Sequence, residues 1–198
     1  MGQFGELSSM VLSRRGSKLV SQMEKQTDES CSEMIKFEMV DDTYHPCELS
    51  QIDQLYLPVE PSNLISKQQT TSIYLAQTTQ KQEIVLKIIE KEKISCSDLA
   101  VTFAKRESAV HAQMDHPNIV KAFHYAETDK NYCIYMEYAG YGSDYLSRRV
   151  LGKNKPVQDM KLVIWAQDVL QGIFYMHQRG VIHTDIKVDN ILIFQREN

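Results

Sequence analysis

The sequence predicts an α+β chain with two lobes, the first built on a five-stranded antiparallel sheet and the second on helices. Three observations lead to this prediction. Short β-branched or aromatic runs separated by polar turns dominate residues 51–139, which is typical of strands. One helical pattern interrupts these runs. A longer helical pattern follows them at residues 159–179, where apolar side chains recur at the spacing of a helix.

Charge and composition exclude several classes of protein. The formal net charge is −4, which does not suit a basic nucleic-acid binder. No apolar run approaches the roughly 20 residues that a membrane helix needs, so we expect no membrane partner. The four cysteines are widely spaced and form no metal-ligand pattern. Scattered thiols of this kind favour a reducing interior, and we expect the protein in the cytoplasm or nucleus.

The composition and the residue pattern of the sequence change near residue 50. Residues 1–50 are polar and show no sustained period, which predicts a disordered tail. Residues 51–139 form the first lobe and the segment that leaves it, and residues 140–198 begin the second lobe. The expected strands lie at 55–57, 72–76, 83–89, 120–126 and 132–138, and a further strand at 191–194.

Helices are expected at three places. The first covers residues 99–114, with Ser95 and Asp98 as its capping box. A short helix at 143–150 follows the loop that Gly140 and Gly142 mark. The third runs over 159–179, and Gly180 supplies its C-terminal stop.

Two charged residues stand on otherwise apolar faces of the first lobe. Lys87 lies in a run of branched aliphatic residues and points the same way as Val85 and Ile89. Glu107 lies at the edge of an apolar helix stripe that includes Leu99. A lysine on the solvated face of a half-buried strand is an alternative interpretation of Lys87. Because an unpaired buried charge is costly, we predict that Lys87 and Glu107 form an ion pair between strand and helix.

A polar loop with apolar flanks indicates a functional site in the second lobe. Asp185 is followed by Lys187 two residues later and by Asn190 five residues later, between a predicted helix and a predicted strand. Together they offer a carboxylate to orient a hydroxyl, a cation for a phosphate and an amide oxygen for a metal. A solvated turn with chance polar residues is the alternative, and the length of the pattern argues against it.

With these motifs the sequence resembles the protein kinases from about residue 52 to the end. The resemblance implies that Lys87 holds the α- and β-phosphates of ATP and that Glu107 is its partner on the inserted helix. It also implies that Asp185 is the catalytic base, Lys187 a γ-phosphate contact and Asn190 a Mg²⁺ ligand. Lysine at position 187 is the mark of the serine/threonine class.

The resemblance also supplies an adenine site. The segment Ile134-Tyr135-Met136-Glu137-Tyr138-Ala139 is similar to the fifth strand and hinge of the family. Met136 is then the gatekeeper, and the Glu137 carbonyl and the Ala139 amide bind adenine. Ile73, on the second strand, is expected against the nucleotide. The cofactors implied are ATP and Mg²⁺, and the partner is a protein substrate. His183 and His177 are expected to be packing residues rather than catalytic ones.

The sequence departs from the family at three places. The glycines of the phosphate loop fall on Ser66, Gln68 and Thr71, and no glycine occurs between Gly16 and Gly140. Side chains there would keep the backbone amides away from the phosphates, so we expect weak nucleotide binding. Thr184 replaces the usual arginine, which argues against control by an activation-loop phosphate.

The third departure is that the sequence ends before any Asp-Phe-Gly motif. We therefore expect an incomplete second lobe with an exposed apolar stripe on its long helix, and slow ATP turnover by these 198 residues alone. The leading hypothesis is a protein serine/threonine kinase domain. One alternative is a pseudokinase or interaction module, which the missing glycines favour and the retained polar residues oppose. Another is a phosphotransferase that acts on a small molecule.

Overall fold

The structure, a computed structural model, describes residues 10–12, 44–57, 59–141 and 159–194. In chain order the strands are β1 (Met10–Leu12), β2 (Leu64–Lys67), β3 (Thr71–Gln77), β4 (Glu83–Glu90), β5 (Ala122–Glu127), β6 (Asn131–Glu137), β7 (Gly140–Tyr141) and β8 (Ile191–Phe194). The helices are α1 (Leu49–Leu55), α2 (Lys91–Ile94), α3 (Asp98–Ala112) and α4 (Asp159–Gln178), with 3₁₀ turns at Pro61–Asn63 and Val188–Asn190. None of the described helices is long and apolar enough to cross a membrane.

The chain divides into two compact units. One comprises the described parts of residues 40–115 together with 120–138. The other comprises residues 116–119 and the described parts of 9–39 and 139–198.

The first unit is built on a five-stranded antiparallel sheet, which confirms the predicted architecture. Its strand order is β2-β3-β4-β6-β5. β4 lies at the centre, where four of its eight residues are buried. Its branched side chains favour the extended backbone and pack on both faces of the sheet.

The prediction for the first strand is wrong. Leu55 ends helix α1, and Tyr56 forms only an isolated bridge with Thr78. The first strand of the sheet is instead β2, which lies at the sheet edge and buries none of its residues fully. An edge strand with mostly exposed side chains lacks the alternation on which a sequence-based assignment depends.

Helix α3 begins and packs differently from the prediction. Its N-cap is Ser97, whose side chain accepts a hydrogen bond from the Ala100 amide, whereas the Ser95 hydroxyl donates to the Glu92 carbonyl. Leu99, assigned to the buried stripe, is 68% exposed. The buried face consists mainly of small side chains, which let the helix lie close to its neighbours: Ala104, Glu107, Ser108, Ala109, Val110 and His111.

The second unit contains helix α4 and a small sheet. β8 pairs in parallel with β1 and antiparallel with β7. Gly180 ends the helix as predicted, with φ of 70°. Its amide bonds to the His177 carbonyl and the Val181 amide to the Met176 carbonyl, which is the Schellman pattern.

The side chains of α4 agree with the predictions in part. His177 is exposed, so its assignment as a packing residue is wrong. Val163, Leu170 and Phe174 are more than half exposed, in agreement with the expected apolar stripe. The helix predicted at 143–150 lies outside the described residues.

Residues 44–57, which we call the strap, lie across the face of the sheet opposite Lys87. Ile52 of the strap is buried in a cluster with residues from four strands. These are Ala76, Ile84, Leu86, Ala126 and Cys133. The strap therefore belongs to the core of the first unit.

Candidate active site

The ion pair predicted in the first unit is present. Lys87 lies in the middle of β4, opposite Ile73 of β3 and Ile134 of β6. Its Nζ atom donates to Oε1 of Glu107 on α3 at 2.7 Å. The prediction that strand and helix are joined by this pair is confirmed.

Burial gives the pair its chemical character. The Lys87 and Glu107 side chains are only 7% and 6% exposed. A charged pair taken out of water persists only when its geometry is good and its partners stay in place. The ammonium of Lys87 is therefore held at one position on its strand, and such a charge-assisted donor suits a phosphate oxygen.

The predicted adenine-binding residues lie on and just after β6. Met136 pairs with Val85, which shares the Lys87 face of β4, and is buried. Glu137 ends the strand. Its amide donates to the Lys121 carbonyl at 3.0 Å, and its carboxylate accepts from the Lys121 amide at 2.6 Å. Ala139 follows as a buried residue of the second unit.

The bond between the Glu137 carboxylate and the Lys121 amide was not predicted. A side chain that caps a backbone group of a neighbouring strand produces no periodic signal in the sequence. Its effect is to fix the end of β6 against the start of β5.

In the second unit, the loop residues converge on one carboxylate oxygen. Oδ2 of Asp185 accepts from Lys187 Nζ at 2.9 Å and from Asn190 Nδ2 at 3.0 Å. Asn190 Nδ2 also lies 2.9 Å from the Asp185 carbonyl oxygen. The structure thus brings together the three loop residues that the sequence singled out.

The backbone of this loop is shaped by His183 and Thr184. His183 is buried, and the Asp185 amide donates to its carbonyl and lies 3.3 Å from its Nδ1 atom. Thr184 takes the left-handed conformation, with φ of 61°, which is unusual for a β-branched residue. The loop therefore turns sharply at Thr184 and presents Asp185 and Lys187, both partly exposed.

Burial on the strap side of the sheet raises the pKa of several groups. Desolvation, and to a lesser extent the charge on Cys47, raises the pKa of Tyr56 to about 12. Desolvation also raises the pKa of Cys133 to about 11, and it raises the pKa of Tyr135. Tyr56, Cys133 and Tyr135 therefore stay protonated near neutral pH.

The predicted site residues thus form two groups in different units. Lys87, Glu107, Ile73, Met136 and Glu137 belong to the first unit. Ala139, Asp185, Lys187 and Asn190 belong to the second. Among the described residues, no cluster of three His, Cys, Asp or Glu side chains could hold a metal by itself.

Comparison with known families gives one match over most of the chain. The family model described as "Protein kinase domain" matches residues 64–198. The strap and the residues before it lie outside this match.

Curated proteins and solved structures give further similarities. CBL-interacting protein kinase 25 of Oryza sativa subsp. japonica is 31% identical over 119 residues, which cover 59% of this chain and 23% of that protein. CBL-interacting serine/threonine-protein kinase 19 of Arabidopsis thaliana is 30% identical over 140 residues, covering 70% and 28%. An Aurora kinase of Saccharomyces cerevisiae is 34% identical over 108 residues, covering 54% and 28%.

Among solved structures, that of Rad53 1-466 with AMP-PNP matches with a TM-score of 0.59 and 24% identity, covering 73% of this chain and 36% of that one. This likeness confirms the fold. The chain spans about a quarter of the length of the curated relatives just named.

Proposed function

This chain belongs to the protein kinase domain family, and on that premise we propose that it transfers the γ-phosphoryl group of ATP to serine or threonine hydroxyls of proteins. The observation that carries the proposal is the convergence of Lys187 and Asn190 on Oδ2 of Asp185. A carboxylate held in this way is a suitable acceptor for the proton of a hydroxyl nucleophile. Phosphoryl transfer depends mainly on positioning and charge, and these three side chains supply both.

Each charged residue has a distinct role in this proposal. Asp185 orients the substrate hydroxyl and accepts its proton, and Lys187 contacts the γ-phosphate. Lys87, held by Glu107 at 2.7 Å, contacts the α- and β-phosphates. No step requires either lysine to lose its proton, because both act as cations.

The donor set fits a magnesium ion in part. The amide nitrogen of Asn190 points to Asp185, so its amide oxygen is the end of the side chain that suits a metal. Mg²⁺ takes oxygen ligands and completes its shell with phosphates and water. When bound, the ion neutralises phosphate oxygens. Asn190 is the residue that we propose to hold it.

The adenine base is proposed to bind beside β6. Met136 supplies the buried wall at the end of the strand, and Ile73, which faces Lys87 across the β3–β4 ladder, supplies an apolar surface. The carbonyl of Glu137 and the amide of Ala139 are the proposed hydrogen-bonding groups. Backbone groups at fixed positions are well suited to recognise a flat heterocycle in a mostly apolar site.

Protein hydroxyls are the proposed acceptors. Lys187 is the residue type of the serine/threonine class, and one relative bears serine/threonine-protein kinase in its name. These similarities do not favour the pseudokinase alternative. The protein is proposed to act inside the cell, in the cytoplasm or nucleus, which agrees with the free thiols of Cys47, Cys96 and Cys133.

The proposal is tested by phosphoryl transfer from radiolabelled ATP with Mg²⁺ to a generic protein substrate. We expect labelled phosphoserine or phosphothreonine in the substrate, formed at the slow rate that the sequence predicts for these 198 residues alone. We expect Asp185→Asn to lower the rate by at least about 100-fold, the order of magnitude for a general base, while ATP still binds. Asp189→Asn is a matched control, because this exposed carboxylate lies in the same loop and should change the rate less than twofold.

Three outcomes would contradict the proposal in different ways. Binding of ATP without any transfer would indicate the pseudokinase alternative. ATP consumption without labelled protein would indicate a small-molecule acceptor. Equal rates for the wild type and Asp185→Asn would show that Asp185 is not the base.

A further inference from the structure

The strap is an integral part of the first unit although it precedes the family match, which begins at residue 64. The Cys47 amide donates to the Tyr125 carbonyl at 2.6 Å on one side of the sheet. At the other end of the strap, Leu57 and Leu55 exchange backbone hydrogen bonds with Gln77 and Thr79 at 2.9 and 2.8 Å. The strap is therefore fastened at both ends to the strands that it crosses.

At this second end, Tyr56 lies between Leu55 and Leu57 and makes two ring contacts. It stacks on Tyr135 of β6, with centroids 4.3 Å apart and planes 19° from parallel. It also meets the ring of His124 on β5 edge to face, at 5.7 Å and 73°. The thiol of Cys47 lies 3.4 Å from Nδ1 of the same histidine. Tyr56 thus contacts one residue on each of two neighbouring strands, His124 on β5 and Tyr135 on β6.

The ladder between β5 and β6 is irregular next to the pair of Tyr135 and His124. Met136 pairs with Ala122, but Tyr135 pairs with His124, so Phe123 is an extra residue on β5. A bulge of this kind interrupts the ladder and leaves the local backbone less constrained by hydrogen bonds. Side-chain packing then contributes more of the constraint that a regular ladder would supply.

Tyr135, on which Tyr56 stacks, is adjacent to the proposed adenine site. Successive side chains of a strand point to opposite faces. Tyr135 therefore faces the strap, and Met136 faces the side of the sheet that carries Lys87. A rotation of β6 that moved Tyr135 would also move Met136 and the carbonyl of Glu137.

We propose that Tyr56 is a positioning residue for adenine binding, acting through Tyr135 and the bulge at Phe123 on the end of β6. This inference rests on the proposed function, because it assumes that Met136 and Glu137 contact the base. It assigns a role in nucleotide recognition to a segment outside the family match. We expect Tyr56 to affect the binding of the adenine part of the ligand, and therefore to change the affinities for ATP and adenosine by the same factor.

The test compares dissociation constants for ATP and adenosine, measured by titration calorimetry well below the melting temperature of each variant. We expect Tyr56→Ala to weaken both ligands by the same factor, about three- to tenfold, which is the range that an aromatic stack supports. Tyr56→Phe keeps the ring and should bind as the wild type does. Tyr56→Leu keeps apolar volume without the stack, so the test stands if Tyr56→Ala does not fold.

Ile52→Ala separates positioning from mere stability. Ile52 is the buried anchor of the strap, so this variant should lower the melting temperature while both dissociation constants stay within twofold of the wild type. Unchanged binding by Tyr56→Ala and Tyr56→Leu would overturn the inference. Equal weakening by Ile52→Ala at a similar loss of stability would overturn it as well.

Failure of the proposed function gives a different result. Lys87→Met should weaken ATP but not adenosine, because Lys87 is proposed to contact the phosphates. A wild-type protein that binds neither ligand would overturn both proposals. A wild-type protein that binds both, with no response to the Tyr56 variants, would overturn this inference alone.

Discussion

Nζ of Lys87 lies 2.7 Å from Oε1 of Glu107, and both side chains are more than nine-tenths buried. The pair joins the central strand of the sheet to helix α3. Its effect on stability is different from its effect on function. A buried ion pair adds little compared with apolar residues of the same size, but removal of one partner is costly.

Removal of Glu107 alone should therefore destabilise the protein strongly. We expect Glu107→Ala to lower the free energy of unfolding by about 3–5 kcal/mol. The double variant Lys87→Met/Glu107→Leu should recover most of that loss and still bind ATP weakly. Urea denaturation measures the first effect, and titration calorimetry measures the second.

A surface pair provides the control. Lys93 and Glu90 are also 2.7 Å apart, but their side chains are 37% and 35% exposed. Lys93→Met should change the free energy of unfolding by less than about 1 kcal/mol. If Glu107→Ala costs no more than Lys93→Met, the buried pair does not have the structural role described above.

Part of this site could be predicted from the sequence, because the signals are local or unusual. Lys87 and Glu107 were identified as charges on apolar faces, and the structure pairs them. The spacing of Asp185, Lys187 and Asn190 identified the loop. The sequence predicts the central strands because β-branched or aromatic residues form short runs between polar turns there, and the structure buries several of these residues.

The remaining features depend on contacts between distant parts of the chain. β2 was missed because an exposed edge strand has no burial pattern. The sequence does not predict helix α1, and its last residue, Leu55, is assigned to a short strand with Tyr56 and Leu57 because these three residues form an apolar and aromatic run. The stack of Tyr56 on Tyr135 joins segments far apart in the sequence, and no local sequence pattern predicts such a contact.

Glycine substitutions in the hairpin between β2 and β3 should strengthen ATP binding. Ser66, Gln68 and Thr71 are the residues that the resemblance aligns with the family's glycines. The Gln68 amide donates to the Thr71 carbonyl at 2.8 Å within the hairpin. We expect replacement of all three by glycine to tighten ATP binding about tenfold, the worth of one hydrogen bond to a charged group. Adenosine binding should not change, because the hairpin acts on the phosphates.

Glycine at the opposite end of β3 is the control. Thr79→Gly and Gln80→Gly alter an exposed turn and should leave both affinities unchanged. Weaker ATP binding by the triple glycine variant would mean that the hydroxyl and amide side chains of the hairpin themselves hold the phosphates.

Two residues with positive φ should respond in opposite directions to substitution. Gly180 has φ of 70° in the Schellman motif that ends α4. Alanine there should lower the free energy of unfolding by about 1–2 kcal/mol, because its Cβ atom clashes in the left-handed region. Thr184 has φ of 61°, and asparagine, which tolerates that region, should raise stability by up to about 1 kcal/mol. Thermal denaturation of the two variants checks both signs, and a stabilising Gly180→Ala would contradict the assignment.

Tyr56 should make the protein sensitive to alkali. Burial raises the pKa of its phenol to about 12 from a reference value of 10.0, so the folded state favours the neutral form. This contribution to stability is fully present below pH 10 and is lost as the pH rises from about 10 to 12, because the unfolded chain ionises first.

Tyr56→Phe cannot ionise, so its stability should fall less steeply with pH over that interval, by at most one proton's slope. Tyr44→Phe is the control, since it removes an exposed phenol from the same strap. Unfolding free energies measured with urea at pH 9, 10, 11 and 12 give the comparison. Parallel curves for the wild type and Tyr56→Phe would show that the phenol is not buried against Tyr135 in solution.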